Sequence, residues 1–255
     1  MFVVEGITLL DEALDAGAAV ESVYVATPAG GPAPEVARRA WEAGVRVFDL
    51  APGVIERVAD TVAPQPVLAV VAWSEADLSS LGGPGPVVLC VDVRDPGNLG
   101  TVLRSAEAAG AAGVVCCDGT VDVYNPKCVR ASAGAVFHVP IVTGGAPHEH
   151  LVALGAAGRL RLGAAGGRGS AYTDAPLGGP VVLVLGNEAN GLGAALDDDL
   201  DGFVHIPMDG RAESVNVGMA CAVLCFEAAR QRHAGGPAAA PVAVVGTAAV
   251  TRSSP

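Results

Sequence analysis

Residues 87–93 read VVLCVDV, an almost unbroken apolar run without the in–out alternation of a strand that faces water on one side. Such a strand needs cover on both faces, which places it inside a sheet flanked by helices. The run ends at Asp-Pro-Gly-Asn, and a helical pattern, Gly97–Ala109 with Gly110 near its end, follows. Strand signals recur at Val114–Cys117, Val136–Val142, Val181–Leu185 and Phe203–Ile206. Helices are expected around Glu149–Ala157 and Val217–Arg232, with a Gly-rich passage after the first of them. Strand, loop and helix in repetition predict an α/β fold.

Ahead of this lies a second, smaller α/β pattern. An amphipathic helix at Ile7–Leu14 stops at Gly17, and SVYVA (Ser22–Ala26) is strand-like. A helix at Pro34–Ala43, a strand at Val45–Leu50, a helix at Pro52–Val62 and a buried strand at Val67–Trp73 complete the unit. The Gly-Gly-Pro-Gly-Pro end of residues 74–86 marks a linker. The division expected is therefore a small unit at 1–74, a linker at 75–86, a main domain at 87–233 and a flexible tail at 234–255.

Half of the chain is apolar (51%), enough for a full core without disulfides. No apolar run approaches the roughly 18 residues of a membrane span, and Met1–Glu12 has no basic region of the kind that starts a signal peptide, so a cytoplasmic protein is expected. The six cysteines include no Cys-x-x-Cys pair and read as small core residues. His148 and His150 lack a third partner and read as solvated loop residues, so no metal site is expected. The formal charge of −12 argues against indiscriminate coating of nucleic acid, because that affinity comes from cations on phosphates. Arg94, Arg104, Lys127, Arg130, Arg159 and Arg161 nevertheless crowd one part of the chain, which leaves a local basic surface open.

Three segments carry polar groups suited to chemistry. DPGNLGTVLRSA (95–106) sets Asn98 and Arg104 at the start of a helix, where a capped turn and a surface arginine are the simpler explanation. GNEANGLG (186–193) follows the valine-rich strand and combines close backbone approach with one carboxylate, Glu188. IPMDGRAESVN (206–216) places Ser214 and Asn216 just before the last helix, where they can cap it or hold an anion. No Gly-x-Ser-x-Gly elbow supports a serine hydrolase.

In this order and spacing the three segments resemble the motifs of the SpoU (TrmH-like) branch of the SPOUT methyltransferases. KCVRASAGAVFHVPIV (127–142) is similar to the family's segment between the first two motifs, and FVVEGITLLDEAL with SVYVA resembles its ribosomal-protein-like RNA-binding domain. The resemblance spans Phe2 to about Arg232. It implies a deep trefoil α/β knot behind a small substrate-binding domain, and a homodimer whose active sites draw on both subunits. It implies transfer of a methyl group from S-adenosylmethionine to a ribose 2′-hydroxyl of RNA, with 23S rRNA favoured over tRNA by the type of N-terminal domain. Leu185, Gly186, Ile206, Met208, Val215 and Asn216 would hold the cofactor, largely through backbone atoms. Asn98, Arg104, Glu188, Ser214 and Asn216 would form the catalytic site. Arg104 would position the phosphate and hydroxyl and stabilise the developing oxyanion, since a guanidinium with a pKa above about 12 is a poor base.

The chain departs from the family at Val215, where leucine is common, and in its acidic first unit, with ten Asp and Glu against four Arg over residues 1–74. A binding protein that has lost catalysis, and an unrelated nucleotide-binding α/β enzyme, are the alternatives of other classes.

Overall fold

The computed structural model describes residues 1–27, 30–59 and 63–235. The expected tail lies outside them from residue 236 onward. Two sheets organise the chain. Strands β1 (Phe2–Glu5), β2 (Val20–Ala26), β3 (Arg46–Leu50) and β4 (Val67–Val71) form a four-stranded sheet in the order β1-β4-β2-β3. Helices α1 (Ile7–Asp15) and α2 (Ala33–Glu42) pack on it, and α3 is the short turn Ile55–Val58.

The second sheet is parallel and seven-stranded, in the order β7-β6-β5-β10-β8-β11-β9. Its strands are β5 (Val87–Cys90), β6 (Gly113–Cys116), β7 (Ile141–Thr143), β8 (Leu160–Ala164), β9 (Ser170–Ala171), β10 (Val181–Leu185) and β11 (Gly202–His205). The continuous apolar runs are explained by cover on both faces. Val88, Cys90, Val181, Leu183 and Leu185 face one core together with residues of α4 (Pro96–Ala108) and α7 (Val217–His233). Val87, Leu89, Val182 and Val184 face another, closed by Leu151 and Leu154 of α6 (Pro147–Ala156). Helix α5 (Pro126–Ser132) packs against α4 so closely that a Cβ at Gly100 would lie 2.5 Å from the Ala131 Cβ.

Several expectations need correction. Strand β5 stops at Cys90, and Asp92 turns away from the sheet with φ 54°. Residues 135–137 form a 3-10 turn rather than strand, and pairing starts only after Pro140, which has no N–H to give a ladder. The helix expected at 52–62 is reduced to α3, because Gly53 has φ 80° and Ala59 is extended; residues 60–62 lie outside the described residues. His148 and His150 sit in the first turn of α6, hydrogen-bonded to Asp199 and to the Gly144 carbonyl respectively. All six cysteines are free and buried.

Residues 81–85 are held down rather than loose. Arg159, buried ahead of β8, donates to the carbonyls of Leu81 (2.5 Å), Gly83 (2.8 Å) and Gly85 (3.0 Å). Desolvation lowers its pKa, and the carbonyl dipoles take the place of a counter-ion. Arg159→Met should therefore leave these carbonyls without donors and cost roughly 2–4 kcal/mol. Thermal unfolding should show a Tm lower by roughly 5–15 °C; an unchanged Tm would show that water replaces the clamp at no cost.

Candidate active site

A pocket of about 410 Å³ opens at the carboxyl ends of β8, β10 and β11. That is where open parallel sheets bind ligands, and the volume lies within the roughly 300–1,000 Å³ of small-molecule sites. Leu185, Leu192, Val204, Ile206 and Leu224 give it an apolar wall. Gly186 is obligatory at its floor: a Cβ there would lie 2.3 Å from the Gly191 carbonyl carbon. Asn187 and Gly191 exchange backbone hydrogen bonds of 3.1 and 2.9 Å, which pinches the loop after β10 into a tight turn.

Three separated segments meet at one edge of the pocket through Glu188. Its carboxylate accepts from the N–H groups of Asp95 (3.1 Å) and Arg94 (3.3 Å) and from the Asn98 amide (3.0 Å). The Asn98 Oδ1 in turn accepts from the Asn216 side chain at 2.6 Å. Burial alone would raise the Glu188 pKa. Hydrogen bonds from Asn98 and from the backbone N–H groups of Glu188, Asp95 and Arg94 outweigh that and hold the carboxyl below its usual range.

Capping accounts for part of the polar pattern and not for the rest. Asp95, not Asn98, caps α4, accepting from the Asn98 N–H at 2.9 Å. Lys127 donates to the other Asp95 oxygen at 2.8 Å, and this ion pair, followed by the Asn98 N–H, lowers the Asp95 pKa. Asn216 caps α7 through its Oδ1 while its amide reaches Asn98, so a single side chain both caps and bridges. Ser214 makes no cap.

Asn98, Leu185, Gly186, Glu188, Ile206, Met208, Ser214, Val215 and Asn216 all line the pocket. Arg104 does not. It is exposed on α4, and its side chain has no hydrogen bond or ion pair with any described residue. Sequence reasoning missed the opposite wall, Ala164, Ala165, Gly166 and Arg168. Arg168 lies 3.5 Å over the Phe203 ring and pairs with Asp197 at 2.7 Å, which pins this wall. The signal was the Leu-Arg-Leu alternation of β8, too short and Gly-flanked to be read as a strand.

The SpoU rRNA Methylase family profile matches residues 85–226, and the MRM3-like substrate binding domain profile matches residues 1–69. The chain belongs to the SpoU rRNA methylase family. The Bacillus subtilis (strain 168) 23S rRNA (guanosine(2553)-2′-O)-methyltransferase RlmP is 35% identical over 88% of this chain and 87% of its own length. The SpoU methyltransferase AviRb from Streptomyces viridochromogenes, solved with the cofactor AdoMet, superposes with TM-score 0.81 at 30% identity, covering 92% of this chain and 91% of that one. A structure solved for 2-OH methylation of C/U34 on tRNA covers only 60% of this chain, and 99% of its own, with TM-score 0.53 at 25% identity. Membership fixes the enzyme class as an S-adenosylmethionine-dependent RNA methyltransferase. Among the described residues no group of three or more His, Cys, Asp or Glu could hold a metal ion, and no helix is long and apolar enough to cross a membrane.

Because folding lowers the Glu188 pKa, its stabilising contribution is present at neutral pH and is lost only as pH falls through the lowered value, below 4.5. Glu188→Gln should weaken S-adenosylmethionine binding by roughly 10- to 100-fold at pH 7, as the loss of charged hydrogen bonds implies. In calorimetry the gap between the two proteins should stay constant down to about pH 4.5 and close only below it. A gap that closes near pH 6 would assign the effect to another group.

Proposed function

We propose that this chain methylates a ribose 2′-hydroxyl of 23S rRNA, acting as a cytoplasmic homodimer. The observation that carries the reading is the Glu188–Asn98–Asn216 relay, which unites three sequence segments at the edge of one pocket. The substrate class follows the relatives' own activity and the matched N-terminal unit, and the tRNA-associated neighbour covers only 60% of this chain. We place the substrate-binding domain at 1–74, the linker at 75–86 and the methyltransferase domain at 87–233. The trefoil knot belongs to the same reading: β10 enters the sheet between β5 and β8, and α7 returns along α4, compatible with a threaded ending.

The pocket fits the cofactor, with an apolar wall for a purine and a floor that only a glycine allows. When bound, S-adenosylmethionine supplies an electrophilic methyl group on a sulfonium, so the chain has to align a weak nucleophile. In our reading Leu185, Gly186, Ile206, Met208, Val215 and Asn216 hold the cofactor. The oxygens of Glu188 are already engaged by three donors, so it positions Asn98 rather than taking a proton. That leaves Ser214 and Arg104 as the polar groups free to meet the RNA.

Arg104 follows Asn98 by six residues on α4, about 9 Å of rise and about 240° of rotation. It cannot share the face from which Asn98 enters its own pocket. The neighbouring helix α7 exposes Met219 (62%), Val223 (36%) and Phe226 (52%), spaced i, i+4, i+7 as one apolar stripe. A second copy covering this stripe would bring its own Arg104 to the pocket. There the cation stabilises the oxyanion as the hydroxyl attacks.

Purified protein should transfer labelled methyl from S-adenosylmethionine to unmodified 23S rRNA and not to tRNA; transfer to neither would sink the reading. Arg104→Ala should reduce transfer at least about 100-fold with cofactor affinity unchanged. Mixing Arg104→Ala with Asn216→Ala subunits should restore roughly a quarter of the activity, since half of the dimers are mixed and each has one intact site. No restoration would refute the shared site.

A further inference from the structure

Aromatic residues are scarce in this chain, yet four of them meet at the seam between the two sheets. Phe137 and Phe2 stack with centroids 6.1 Å apart, Phe2 meets Tyr124 at 4.7 Å, and Tyr124 meets Trp73 at 6.0 Å. Phe2 in β1 and Trp73 just after β4 come from the first unit, whereas Tyr124 and Phe137 come from the second. The Tyr124 hydroxyl donates to the Ser74 carbonyl at 2.6 Å, fixing its ring against the strand end that carries Trp73. Phe2, in the middle of the ladder, is 8% exposed, and Trp73, at its outer end, is 60% exposed. The inner rings are the core of the seam. An indole left open at the end of a rigid stack is not needed for that core.

A cavity of about 290 Å³ lies beside the indole, walled by Met1, Val3, Glu5, Val58 and Arg130. The Arg130 guanidinium has no hydrogen bond or ion pair with any described residue, and neither has that of Arg57, next to Val58. Asp122 lies on the same wall, but one of its oxygens accepts from the Tyr124 N–H in its own turn. An open indole beside an unpaired guanidinium suits a nucleotide: the ring takes the base and the cation takes the phosphate. An apolar protein partner would offer the Arg130 guanidinium no hydrogen-bond acceptor.

The seam also lies close to the acceptor side of the active site. Lys127 stands one turn before Arg130 on α5, about 4.5 Å along the helix. It pairs with Asp95, the cap of the helix that carries Asn98. The cap of α4 beside Asn98, helix α5 and the cavity beside Trp73 are thus linked by contact.

We propose that Trp73 is a stacking platform for an unpaired base of the RNA substrate, with Arg130 holding that nucleotide's phosphate. The proposal rests on reading the chain as an RNA methyltransferase. Trp41→Phe, on the exposed face of α2, leaves Trp73 as the only indole, and this full-length variant is the parent for the test. Unmodified 23S rRNA transcript should quench the Trp73 fluorescence saturably. Trp73→Ala should raise KM for the transcript by between about 5- and 150-fold with little change in kcat or cofactor affinity, and Trp73→Phe should recover most of the loss. Arg130→Gln should raise KM and flatten its salt dependence, with part recovered by Arg130→Lys. An active parent whose Trp73→Ala form keeps its KM, or loses only thermal stability, overturns the platform. A parent that transfers no methyl overturns the functional reading instead, and quenching of Trp73 by the transcript then decides the platform alone.

Discussion

The site depends on one carboxylate satisfying three donors from a segment some ninety residues earlier in the chain. Glu188 sits in the loop after β10, and the N–H groups of Arg94 and Asp95 and the Asn98 amide sit in the turn after β5. Those two strands are adjacent in the sheet, so their ends are already neighbours. The hydrogen bonds then fix the turn that caps α4. That fixes the direction of Asn98, and Asn98 fixes Asn216 at the start of α7. A neutral side chain at 188 could accept from some of these donors but would present a competing donor to the others. The depressed pKa is the thermodynamic face of the same geometry.

The glycines make this possible by letting backbone come where side chains cannot. Gly186 allows the loop to fold back onto Gly191, Gly100 lets α4 lie on α5, and a Cβ at Gly218 would lie 2.8 Å from the Thr101 side chain between α7 and α4. Helices α5 and α7 are thus both held against α4, and α4 and α7 are the two that contribute to the pocket. A methyl group at any of these positions would have to displace backbone or packed side chains, which is costly in a close-packed interior.

The parallel sheet was legible because burial on both faces leaves a plain mark, as in VVLCVDV and VVLVL, and the motif segments were legible as clusters of small polar residues after strands. What was hidden is what long-range contact decides. Val136–Val142 has strand composition, yet Pro140 and the positive φ of Ala133 and Gly134 make its first half a turn. Helix α5 was missed although Asn125 caps it and Pro126 opens it, because seven residues are too few to show a period. Nothing local to Arg159 indicates that it serves the carbonyls of Leu81, Gly83 and Gly85 rather than solvent. The place of Arg104 outside its own pocket follows from helix rotation, and a motif alone does not carry that information.

The charge of −12 is then less at odds with RNA than it first looks, because pairing matters more than the sum. Arg38, Arg39, Arg46, Arg94, Lys127, Arg161, Arg168 and Arg230 are neutralised by carboxylates within the chain. Arg159 and Arg232 serve backbone carbonyls. Among the described residues this leaves Arg57, Arg104, Arg130 and Arg211 with uncommitted guanidinium groups, and they fall beside the seam, on α4 and in the loop ahead of α7 rather than at random. Counter-ion release scales with the phosphates neutralised, so a surface with so few free cations binds RNA weakly on charge alone. The acidic remainder repels any RNA that does not align with them. Affinity must then come from stacking and shape, terms that depend on which bases are unpaired, and the acidity that weakens general binding becomes a source of discrimination.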